Sequence, residues 1–93
     1  MKRIHLPIRT ALRVALAALL LGGGHHQAAV YWLKKAARKD HPEAMHLLSQ
    51  CYLRQQGVEL DENTALMWLH KAAAAGHVIA AEQTASLRSR FRR

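Results

Sequence analysis

The chain has 93 residues, 51% hydrophobic and 5% aromatic, and 14 Lys and Arg against 6 Asp and Glu give a net charge of +8. That length holds one small core, and the lone Cys51 excludes an intrachain disulfide. Only two prolines and no run of alternating β-branched residues make the chain all-α.

The first segment carries Lys2, Arg3, Arg9 and Arg13 with no acid, then the apolar run Val14 to Leu21 and Gly22-Gly23-Gly24. A basic start, a short apolar run and small residues fit a secretory signal. The same residues also fit a helix over 8–21 with Leu12, Leu16 and Leu19 facing Trp32 across a Gly-rich turn. Arg13 shortens the apolar run, and His26 is bulky where a cleavage site needs a small residue, so the packed helix is preferred. That reading expects a cytoplasmic chain, and the signal reading an exported one. A membrane span is not expected, because it needs about 20 apolar residues.

The second helix is expected over 26–38. Ala29, Trp32, Leu33, Ala36 and Ala37 fall at i, i+3, i+4, i+7 and i+8, so one face is apolar. The alanines let a neighbouring backbone approach closely, and the Trp ring fills the wider end of the gap as part of the core. A third helix, over 42–55, opens with Pro42 and Glu43 and carries Ala44, Leu47, Leu48, Cys51 and Tyr52 on its apolar stripe. In the turn after it, Gly57 suits a left-handed conformation, Val58 plugs the core and Asp61 caps a fourth helix over 62–75. A fifth is expected over 78–90, and 88–93 form a basic tail with Arg88, Arg90, Arg92 and Arg93 around Phe91.

The fourth helix repeats the second. Ala29 to Ala37 returns as Ala65 to Ala73, with six of nine residues identical at an offset of 36, and His41 and Ala44 return as His77 and Ala80. A period of this size marks stacked helical hairpins, none of which buries its apolar face alone. The expected fold is a short α-solenoid of antiparallel helix-turn-helix repeats, about two and a half repeats in five helices. So few repeats leave a thin core, which self-association or a partner can cap.

The pattern resembles the Sel-one-like repeat, a relative of the tetratricopeptide repeat. Ala44, Leu48, Tyr52, Gly57, Val58, Asp61, Ala65, Trp68, Lys71, Ala72, Ala73, Gly76 and His77 meet one full repeat, and Ala29, Trp32, Lys35, Ala36, Ala37 and His41 meet the half before it. The resemblance covers residues 29–80. Three residues depart from it: Ser49 and Gln55 stand in glycine positions, and Asp40 stands where the other copy has Gly76. Asp is costlier than Gly in a left-handed turn, so the first junction is expected to be the looser one.

Chemistry is not expected. Cys51 lies on an apolar stripe, His46 has no His partner four residues away, and no Gly-rich phosphate loop, serine elbow or carboxylate pair is present. Neither a metal nor a cofactor is implied. The resemblance implies a non-catalytic adaptor for another protein or peptide, bound along the first helices of the repeats. Positions off the core stripe there are His46, Gln50 and Arg54, which the repeat offset carries to Glu82, Ser86 and Arg90. The alternative rests on the basic ends: binding to nucleic acid or an anionic membrane surface, strongly weakened by salt.

Overall fold

The computed structural model describes residues 7–21 and 24–91, with the side chains of Ile8, Arg90 and Phe91 left aside. The basic residues Lys2, Arg3, Arg92 and Arg93 and the glycines Gly22 and Gly23 therefore lie outside the described residues, as does the side chain of Arg90. Five helices follow in order: α1 Ile8–Leu21, α2 His25–Arg38, α3 Pro42–Arg54, α4 Glu62–Ala74 and α5 Val78–Phe91. Each packs chiefly on its neighbours in sequence, giving a stack of hairpins 55 × 26 × 20 Å in extent. The architecture is a short α-solenoid.

Close approach of the helices comes from alanine. Ala29, Ala36, Ala37, Ala44, Ala65 and Ala72 are each at most 2% exposed, and the repeat-equivalent Leu33 and Leu69 fill the space between them. The tryptophans do less than expected. Trp32 and Trp68 flank the core half-buried, and the ammonium groups of Lys35 and Lys71 lie over their rings at 5.9 and 5.2 Å. A ring that large fits the edge of an alanine-spaced interface, not its centre, and its outer face is left to the cation.

In α1 the buried face is Ala11, Ala15 and Ala18, with Leu12 and Leu19 packed beside it. Leu16 is only half-buried, and Leu20 and Leu21 point to solvent. Small residues again take the closest contact, which displaces the leucines to the flanks.

The two junctions between hairpins share one construction. At the end of α2, Asp40 N–H donates to Ala37 O at 3.0 Å and His41 N–H to Ala36 O at 3.3 Å. At the end of α4, Gly76 N–H donates to Ala73 O and His77 N–H to Ala72 O, both at 3.0 Å. These crossed bonds satisfy carbonyls that a helix end would otherwise leave open. The histidines then start the next helix: Nδ1 of His41 accepts from Ala44 N–H at 3.3 Å, and Nδ1 of His77 from Ala80 N–H at 3.1 Å. One residue closes a helix and caps its successor.

Two of the three departures sit at positive φ, Asp40 at 60° and Gln55 at 55°, with Gln55 ending α3 in the left-handed conformation, while Ser49 lies buried within α3. Gly57, at φ 76°, has a second constraint, since a Cβ there would overlap the backbone carbonyl of His26. The α3–α4 turn thereby seats on the start of α2. Asp61 caps α4 by accepting from Thr64 N–H at 3.1 Å and Thr64 Oγ1–H at 2.7 Å.

Leu69→Ala is expected to cost about 2–5 kcal/mol and Trp68→Ala less, because part of the ring is already in water; urea unfolding followed by circular dichroism measures both. Gln55→Gly should stabilise by up to about 1 kcal/mol, whereas Gly57→Ala should destabilise by roughly 1–3 kcal/mol, in the same assay.

Candidate functional site

Superposing α3 and α5 by the repeat offset shows where the array changes character. Ala44 corresponds to Ala80, and both are fully buried. Leu47, Leu48 and Tyr52, however, become Gln83, Thr84 and Arg88. The helix α5 therefore brings polar or shorter side chains to positions that α3 fills with large apolar ones. A groove lies beside these positions.

That groove, about 470 Å³, runs between α3, α4 and α5. Leu53, Leu66, Leu69, Thr84 and Leu87 line it, with Glu62, His70 and Arg88 as its polar members. A second recess of about 300 Å³ shares Leu53, Leu69 and Leu87 and adds Gln50, Gln83 and Ser86. Equivalent positions earlier in the array are closed, since α4 packs on α3 whereas among the described residues no helix follows α5. Val30 is 4% exposed while its counterpart Leu66 is half-buried, and Cys51 is fully buried while its counterpart Leu87 is half-buried. The Thr84 hydroxyl donates to Ala81 O at 2.9 Å, so it places no unsatisfied polar group on the floor.

Of the residues expected to contact a partner, Gln50 and Ser86 line the smaller recess together. Arg54 and Glu82 are exposed but line neither recess. His46 is not the ordinary solvated position its spacing indicates. Its Nε2 lies 2.9 Å from Gln83 Oε1, and its ring stacks on His77 at 4.5 Å and 18°. It ties α3 to the cap of α5. Sequence reasoning missed Leu53, Leu66, Thr84 and Leu87 as a set; the available signal was the change from Leu48 to Thr84 and from Tyr52 to Arg88 along the repeat.

His77 is held below the ordinary imidazole range, first by burial and then by the neighbouring His46, with Glu43 opposing. Protonation would also remove the Nδ1 acceptor from Ala80 N–H and put a positive charge at a helix N-terminus. Burial pushes the Cys51 thiol up to about 11, against the opposing charge of Arg54. Such a thiol is a packing group and a poor nucleophile. Among the described residues no group of three or more His, Cys, Asp or Glu side chains is placed to hold a metal ion.

A stack of helical hairpins with a recurring junction defines a helical repeat protein. The chain belongs to the Sel1 repeat family, whose model matches residues 15–41 and 42–77. The first match begins within α1 and the second ends at the cap of α5. The chain matches no curated protein and no solved structure. Sel1 repeats are generally protein–protein interaction modules, and proteins built from them are typically non-catalytic adaptors.

The pH dependence follows from the sign of the His77 shift. A folded-state pKa below the unfolded value near 6.5 means the unfolded chain binds more protons, so this contribution is complete above pH ~6.5 and is lost as pH falls below it. The thermal midpoint should therefore drop on acidification, and His77→Asn, which caps without titrating, should reduce that drop. Cys51 should resist alkylation at pH ~8 in the native chain and react fully in urea, as mass spectrometry of the adduct would show.

Proposed function

We propose that this chain is a non-catalytic adaptor that seats an apolar segment of another protein in the groove between α3, α4 and α5. The observation that carries the reading is the open volume lined by Leu53, Leu66, Leu69 and Leu87, at a place where α5 has Thr84 and Arg88 at the repeat positions of Leu48 and Tyr52. Partly exposed leucines flanked by Glu62, His70 and Arg88 suit one or two apolar side chains of a peptide, with polar neighbours setting its direction. Gln50, Gln83 and Ser86 extend the contact along α3 and α5.

The working chain on this reading keeps α1 and resides in the cytoplasm. Burial of Ala15 and Ala18 supports retention, because removing α1 would uncover the face of α2 on which it packs. An intact mass from fractionated host cells tests that part.

Thr84→Leu tests the groove. The substitution restores the side chain found at the equivalent Leu48 and should fill the floor, leave the fold as stable or more so, and abolish binding of apolar peptides selected from a displayed library against the unmodified chain. Unchanged affinities in fluorescence titrations of that peptide set would place the contact surface elsewhere.

A further inference from the structure

The first hairpin carries a charge pattern that the groove does not use. No acid occurs before Asp40, and the described part of this stretch bears Arg9, Arg13, Lys34, Lys35, Arg38 and Lys39. A connection of three residues, 22–24, makes α1 and α2 antiparallel, so the start of α1 lies beside the end of α2. Cations separated by some 25 positions in sequence are thus gathered at one end of one hairpin, where they outnumber the nearby carboxylates Asp40 and Glu43.

The outer face of α1 is apolar beyond that basic end. Leu20 is 88% exposed, Leu21 71% and Val14 38%. Wound at the helical period, these residues, Ala17, Arg9 and Arg13 fall on an arc of about 140°, opposite Ala11, Ala15 and Ala18. Among the described residues α1 packs on α2 and leaves this arc uncovered. On α2, the exposed Tyr31 ring lies 4.9 Å from the Lys35 ammonium, an amphipathic pair of the kind that suits a headgroup layer.

We propose that the outer face of α1 docks on an anionic lipid bilayer, the helix lying in the plane of the interface with Leu20 and Leu21 in the acyl boundary and the basic end of the hairpin on the headgroups. Charge and apolar exposure together select this occupant. A nucleic-acid backbone would satisfy the cations but gain nothing from Leu20 and Leu21, and a second copy would bring Arg9 and Arg13 against like charge. No helix among the described residues is long and apolar enough to cross a membrane, so the contact is with the surface. The groove lies at the other end of the array, and the two sites are independent.

The test is co-sedimentation of the full chain with vesicles of phosphatidylcholine alone or with about 30 mol % phosphatidylglycerol. Binding is expected only to the anionic vesicles and should fall about 5-fold for each charge removed in R13Q, R38Q and K39Q combined. L20S/L21S, altering residues already in solvent, should keep its circular dichroism spectrum and also bind at least about 10-fold less. Equal binding to both vesicle types would overturn the proposal. So would unchanged binding by L20S/L21S, displacement from the vesicles by duplex DNA, or sedimentation velocity showing a dimer that L20S/L21S dissolves.

Discussion

The rest of this structure depends on an imidazole shared between two helices. His41 and His77 each complete the hydrogen bonding of one helix through the backbone and begin the next through Nδ1. Because the same residue belongs to both ends, no slack remains at the junction, and the direction of the second helix follows from that of the first. The alanine contacts need that direction: an interface spaced for methyl groups tolerates little rotation before larger side chains collide. Neutral histidine is required in this role, which explains why the cap of α5 also stacks on His46 and resists protonation.

With the junctions alike, the difference between α3 and α5 is expressed in their side chains. The backbone of α5 is delivered to the place the repeat dictates, whether or not its residues fill the space around it. Gln83, Thr84 and Arg88 do not, and a groove lies beside them in a frame that stays ordered. The position of Ala80, fully buried like Ala44, anchors the near end of α5 while the far end diverges in chemistry. The recess arises here without a special loop, beside register positions where α5 is more polar than α3.

Much of the architecture was legible because it is written in periodicity. The five helices, the Asp61 cap and the left-handed Gly57 follow from spacing and from known preferences at helix ends. The histidine caps were not legible, since His is not among the favoured capping residues and a recurring His reads only as a turn. The exposure of Leu20 and Leu21 was hidden for a related reason: a helix apolar on all sides does not announce which side its neighbour takes. The role of His46 escaped because its partner Gln83 is one position away from its own repeat equivalent Glu82, and an offset alone cannot reveal a contact across hairpins. Gln50 and Ser86, by contrast, are equivalents that do meet at one recess.

The matching junctions have a consequence for how such a chain can lengthen. A segment running from one shared histidine to the next begins and ends with the same hydrogen-bonding partners. Duplicating it in tandem would create a seam chemically identical to those already present, with no loop to redesign. Splicing at any other point would set unlike partners against each other. The spacing between the basic hairpin at one end and the groove at the other is therefore adjustable in whole steps, like links added to a chain, and the ends themselves need not change.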